Sequence, residues 1–121
     1  MLIKKRVLIV DDEADILVIL RTLLKKNKFE VLEASSADCA LNLLENESVD
    51  LIISDIVMPG MNGRDFVKEV RQWDMNMPVI FISGKDTISK KDLSHISAFI
   101  EKPFSKDTLL KTIHKVLSNQ T

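Results

Sequence analysis

Four short apolar runs in this chain each end in a charged or hydroxylated residue, and segments with a helical pattern lie between them. Val7-Leu8-Ile9-Val10 runs into Asp11-Asp12, and Leu51-Ile52-Ile53-Ser54 runs into Asp55. Val79-Ile80-Phe81-Ile82 runs into Ser83, and Ala98-Phe99-Ile100 passes through Glu101 into Lys102-Pro103. Each run has the length and β-branched content of a buried strand. Their alternation with helices predicts a parallel sheet. Parallel strands point the same way, so their C-terminal ends share one edge, where ligands of open α/β sheets bind. Three carboxylates, a hydroxyl and a lysine are thereby expected at one edge. Such a set suits a divalent metal and a phosphoryl group.

The rest of the chain fills in five β-α units. Strand one is read over Lys5 to Val10. From Glu13 to Lys26, the residues Ile16, Leu17, Leu20, Leu23 and Leu24 recur at helical spacing, with Asp12 placed to cap the helix. Phe29 to Ala34 alternates like a strand with one wetter face. Ser35 and Asp38 open helix two, whose stripe is Ala37, Ala40, Leu41 and Leu44. Strand three covers Asp50 to Ser54. A Pro/Gly loop from Met58 to Gly63 leads to helix three, capped by Asn62 and burying Phe66, Val67, Val70 and Trp73. Strand four starts at Pro78. The polar stretch Gly84 to Ser97 carries only Ile88, Leu93 and Ile96 as anchors, and one short helix is read there. Strand five is Ala98 to Glu101. Ser105 caps helix five, with Leu109, Leu110, Ile113, Val116 and Leu117 on its apolar face. Right-handed crossovers then give a doubly wound, flavodoxin-like α/β sheet of order 2-1-3-4-5. That order sets strand one beside strand three, and Asp11-Asp12 beside Asp55.

Bulk properties narrow the function. The 121 residues are read as one domain, residues 1–121. Seventeen basic and 18 acidic residues give a net charge of -1, which gives no reason to expect nucleic acid or an anionic membrane as partner. The single Cys39 has no disulfide partner, as in a reducing compartment. Aspartates interrupt every apolar run well before membrane-spanning length, and no signal peptide is visible after Met1. The expectation is a soluble cytoplasmic protein. His95 and His114 lack metal-ligand spacing, and surface or packing roles are the default for them.

The acidic edge points to phosphoryl chemistry. Magnesium takes oxygen ligands and usually keeps waters while binding one or two carboxylates plus phosphate. Asp12 and Asp55 are suited to direct ligation, with Asp11 acting through water. Three close carboxylates repel one another, so some proton uptake is expected without metal. Asp55 retains an oxygen able to attack phosphorus and form an acyl phosphate. Metal and Lys102 supply positive charge to the transferring group, and Ser83 a hydrogen bond. Gly84 leaves room for the phosphoryl group and presents a backbone N–H. Taken singly, each feature has a plainer reading. An Asp-Asp pair after a strand is commonly a cap, a lone Asp before a loop is turn chemistry, and Lys-Pro is a surface loop. Their convergence on one edge is what argues for a site.

With these residues in view, the whole chain resembles a receiver domain of bacterial two-component response regulators, of the stand-alone chemotaxis-regulator kind. The resemblance rests on Val7 to Glu13, on Asp55-Ile56-Val57-Met58-Pro59-Gly60-Met61-Asn62-Gly63, on Ser83-Gly84, and on Phe99 to Phe104. It implies that Asp55 is the phosphoacceptor from a histidine kinase or phosphotransfer protein. It also implies that Asp11 and Asp12 are metal acids and that the backbone carbonyl of Val57 is the remaining protein ligand. Ser83 and Phe99 resemble the family's switch pair, and the Lys102-Pro103 bond is expected to be cis. A signalling domain is implied rather than an enzyme with a separate substrate.

Two departures from the family pattern stand out. The segment Ser83 to Lys102 is a few residues shorter than usual, with His95-Ile96 where Gly-Ala is common. Val57 stands where some relatives carry a polar residue that aids hydrolysis. The chain ends soon after helix five, with no room for a DNA-binding or enzymatic output domain. A stand-alone receiver and a piece cut from a larger protein both fit. Two other functions stay open. A phosphohydrolase with an aspartyl nucleophile would, in its common form, need a carboxylate at Val57. A flavin module of similar fold would need a Ser/Thr/Gly-rich phosphate loop where Asp11-Asp12-Glu13 stand.

Overall fold

Alternate residues of β1 (Arg6–Val10) feed two different cores. Leu8 and Val10 face one side of the sheet, while Val7 and Ile9 face the other, as the two-residue period of a strand requires. In the computed structural model, residues 4–84 and 88–119 are described. The elements follow as α1 (Ala14–Lys26), β2 (Glu30–Ala34), α2 (Ala37–Asn46), β3 (Leu51–Ser54), α3 (Gly63–Trp73), β4 (Val79–Ser83), α4 (Lys90–Leu93), β5 (Ala98–Glu101) and α5 (Lys106–Ser118). The five strands are parallel, in the order β2-β1-β3-β4-β5. This is the flavodoxin-like α/β sheet that the sequence predicts.

Helices α1 and α5 cover one face. Leu20 and Leu24 of α1 and Leu109, Ile113 and Val116 of α5 meet Val7, Ile9, Ile53, Ile80 and Ile82. Helices α2 and α3 cover the other, where Ala37, Ala40, Phe66, Val67 and Val70 meet Leu8, Val10, Ile52 and Phe81. The central strands β3 and β4 are buried along their whole length. That is why they read as unbroken apolar runs rather than alternating ones.

Several local expectations need correction. Asp12 does not cap α1. Glu13 takes the cap position without a side-chain bond, and the Asp11 carboxylate accepts the Glu13 N–H at 2.9 Å instead. Helix α2 is capped by Ser36, not Ser35, its hydroxyl accepting the Cys39 N–H at 3.1 Å. Trp73, read as buried, is 54% exposed because it is the last residue of α3, where the core has ended. Leu93 is half exposed and belongs to neither core among the described residues, whereas Ile88 and Ile96 do pack against the core on the α2–α3 side. Asn62 and Ser105 cap α3 and α5 as read. The short fourth helix is a single turn closed by a capping box between Ser89 and Asp92. Residues 85–87 of the Gly84–Ser97 stretch, Met1 and the last two residues lie outside the described part.

Candidate functional site

The sheet's hydrogen bonding continues one residue past the strands, and this pins the site. The Asp55 N–H donates to the carbonyl of Val10 at 3.0 Å, and the Asp11 N–H to that of Ala34 at 3.1 Å. The Lys102 N–H donates to the carbonyl of Ser83 at 2.8 Å. Val10 pairs with Ser54, so the next residues, Asp11 and Asp55, emerge side by side. Ser83 pairs with Glu101, which brings Lys102 to the same edge. The Lys102–Pro103 peptide is cis.

Asp11 is 1% exposed, Asp55 5% and Ser83 2%, whereas Asp12 is exposed. Lys102 Nζ bridges the two buried acids, 2.9 Å from Asp55 Oδ2 and 3.1 Å from Asp11 Oδ2. Oδ1 of Asp55 accepts the N–H of Ile56 at 2.7 Å, the N–H of Val57 at 3.3 Å and the Ser83 hydroxyl at 2.9 Å. Burial raises the Asp11 pKa above the ordinary carboxylate value; its bond from Glu13 and the charge of Lys102 only partly offset this, and Asp55 adds repulsion. Burial also works against the charge of Lys102, but the hydrogen bonds and charges of Asp55 and Asp11 outweigh it and raise its pKa.

Asp11, Asp12 and Asp55 each offer a carboxylate oxygen, and these oxygens lie within 4.8 Å of one another. An all-oxygen, acidic donor set of that spacing fits a hard divalent cation. Val57 is 61% exposed, and its N–H is one of those bound to Asp55 Oδ1. Phe99 stands apart from the acidic cluster. It pairs with Phe81 two positions before the Ser83–Glu101 pair and packs against the core on the α2–α3 side.

Three supporting residues were not read as part of the site from sequence. The Ser54 hydroxyl donates to the Asp55 carbonyl at 2.8 Å, with both groups buried. Glu13 brings a third carboxylate to 3.9 Å from Lys102 Nζ. Gly63 is packed so closely against the acceptor loop that an added Cβ would strike the Asp55 carbonyl oxygen and lie 2.8 Å from Ile56 Cα. Its N–H donates to the Ile56 carbonyl at 2.7 Å. The only hint in the sequence is the glycine itself, placed where a helix begins.

The chain has recognisable relatives. The family model for the response regulator receiver domain matches residues 7–114. Response regulator SaeR of Staphylococcus aureus is 36% identical over 115 residues, which cover 92% of this chain and 50% of that protein. The chain thus spans about half the length of the curated relatives it matches. A CheY-like response regulator receiver domain protein from Methanospirillum hungatei superposes with a TM-score of 0.89 at 30% identity, covering 98% of this chain and 97% of that one. The chemotaxis response regulator CheY4 of Vibrio cholerae gives 0.88 at 32% identity, covering 95% and 100%. Among the described residues, no helix is long and apolar enough to cross a membrane. Sequence match, strand order and the acidic edge agree, and the chain belongs to the receiver domain family of two-component response regulators.

Proposed function

We propose that Asp55 is the phosphoacceptor of a two-component phosphorelay, taking a phosphoryl group from a histidine kinase or a phosphotransfer protein. The observation that carries this reading is the unequal surroundings of its two oxygens. Oδ1 is occupied by three donors, while Oδ2 meets one side chain among the described residues, Lys102 at 2.9 Å. Oδ2 is therefore the oxygen with a lone pair to give. It attacks phosphorus, an O–P bond forms, the P–N bond of phosphohistidine breaks, and the electron pair leaves on the imidazole nitrogen.

Asp11, Asp12, Asp55 and the backbone carbonyl of Val57 are the groups that would hold magnesium. When bound, it supplies positive charge to the phosphoryl oxygens. Lys102 contributes a second positive charge by turning from Oδ2 toward a phosphoryl oxygen. Ser83 turns its hydroxyl from Oδ1 to another. Phe99 then repacks into the space Ser83 leaves, and the altered surface changes protein–protein contacts. In this reading the domain acts on itself, accepting and losing its own phosphoryl group, with no direct role for nucleic acid or membrane. The test is labelling from acetyl phosphate or a phosphorylated kinase in magnesium. Wild type should label and Asp55→Asn should not; equal, stable labelling of the variant overturns the assignment.

A further inference from the structure

We propose that the groove between α3 and the α4 segment is a docking surface for an acidic peptide carrying a large apolar side chain. The proposal does not depend on the phosphoacceptor reading. Because α4 is a single turn, residues 88–97 leave the flank of α3 open, and a groove of roughly 1100 Å³ results. That is at or above the upper end of small-molecule sites, which run to about 1,000 Å³. Along α3 from Arg64 to Arg71 it extends roughly 10 Å, the reach of a short peptide. Its inner wall is apolar, with Val67, Met77 and Phe81 buried behind it, Ile96 half-buried on it, and Met75 73% exposed at the mouth. An exposed methionine is an adaptable apolar contact.

The rim is basic in a chain whose net charge is -1. Among the described residues Asp92 is the one carboxylate in the lining, and it is already engaged. It accepts from Arg64 Nε at 2.9 and 2.8 Å and from the Ser89 N–H at 3.0 Å. Lys68 is at the limit of ion-pair reach of Asp65, at 3.9 Å, and Lys91 is exposed. Arg71 donates to uncharged carbonyls, that of His95 at 3.0 Å and that of Asp74 at 3.2 Å, while the Asp74 carboxylate accepts the Asn76 N–H. Among the described residues these three cations lack a matching carboxylate within the lining, and outside it Lys68 meets only the distant Asp65 while Arg71 feels the charge of Asp74. A peptide with Asp or Glu beside a Leu, Met or Phe complements both features.

The test is selection of a random 12-residue peptide library on the full chain in chelator, followed by affinity measurements on the enriched sequences. Enriched peptides should combine acidic and large apolar residues. Their Kd should rise at least tenfold in a Lys68→Glu/Lys91→Glu variant, and should weaken with salt. Amide shifts on binding should fall on residues 64–77 and 88–97. Both lysines are exposed and remote from Asp55, so melting and acetyl phosphate labelling should match wild type. Absence of enrichment, enrichment of basic or purely apolar peptides, or equal binding to the folded variant overturns the proposal.

Discussion

The Ser83 hydroxyl donates to Oδ1 of Asp55 at 2.9 Å, so the residue proposed as the switch is tied to the proposed acceptor before any phosphoryl group arrives. Moving that hydroxyl to a phosphoryl oxygen exchanges one charge-assisted bond for another, and the exchange supplies a difference between two states. Ser83→Ala leaves Asp55 with its two backbone donors and Lys102. The variant should therefore still label. It should lose most of the conformational response, because the contact that distinguishes the states is gone. Amide shifts with and without beryllofluoride, compared in both proteins, measure this. A full wild-type pattern around Phe99 in Ser83→Ala would show that another element carries the signal.

A second prediction follows from the raised pKa of Asp11. The folded state holds its proton to higher pH than the unfolded chain does. Between the unfolded value near 4 and the raised folded value, the native state binds more protons, so this group's contribution to stability falls as pH rises. Asp11→Asn removes that dependence while keeping an oxygen for the Glu13 N–H. In chelator, the variant should melt above wild type at pH 7, and the gap should close toward pH 4. Asp12→Ala removes one like charge from the acidic cluster and should raise the melting midpoint in chelator only slightly, because Asp12 is exposed. A gap that is independent of pH, or reversed, would refute the raised Asp11 pKa.

The groups that finish strands were legible in sequence. Asp11, Asp55, Ser83 and Lys102 each follow an apolar run, and parallel pairing forces such ends together. What the sequence did not disclose depends on backbone paths. Asp12 and Ser35 both look like caps, but α1 starts at Glu13 without a side-chain cap, Asp11 instead holding the Glu13 N–H, and α2 is capped by the Ser36 hydroxyl. Trp73 keeps the helical spacing of Phe66 and Val70, and spacing does not reveal where the core ends. The single-turn α4 is held by the Arg64–Asp92 pair across 28 residues, and no local periodicity encodes that contact.

Gly63 gives a third prediction. A methyl group there would push the start of α3 off the Asp55 carbonyl and Ile56 Cα, both rigid backbone atoms. Overpacking of this kind costs about 1–3 kcal/mol. Gly63→Ala should lower the melting midpoint and slow acetyl phosphate labelling, since Asp55 and Ile56 shift together. A variant with wild-type stability and labelling would mean that α3 gives way without moving the acceptor loop.

Lys28 offers a test remote from the site. Helix α1 ends with the Phe29 N–H donating to Leu24 at 3.0 Å and the Lys28 N–H to Lys25 at 3.2 Å, which places Lys28 at φ 74°. That left-handed position favours glycine. The side-chain penalty is about 1–2 kcal/mol, partly cancelled by roughly 0.4–1 kcal/mol of extra unfolded-state entropy for glycine. Lys28→Gly should be more stable by about 0.5–1 kcal/mol in urea melts, with labelling unchanged. A loss of stability would mean that the lysine side chain makes contacts outweighing its backbone strain.

The last prediction concerns how long the phosphoryl group stays. Hydrolysis needs a water aligned with the P–O bond and held there. Val57 is two residues beyond Asp55, its N–H donates to Asp55 Oδ1 at 3.3 Å, and the residue is 61% exposed. Its aliphatic side chain offers no hydrogen bond to hold such a water. An asparagine at this position has an amide able to orient the water, and the exposed position leaves the core untouched. Val57→Asn should therefore release phosphate faster from prelabelled protein, by several-fold, with little change in melting temperature. Its labelling rate should stay close to wild type, because the Val57 backbone N–H and carbonyl remain. Equal or slower phosphate release from the asparagine variant would refute the role assigned to Val57.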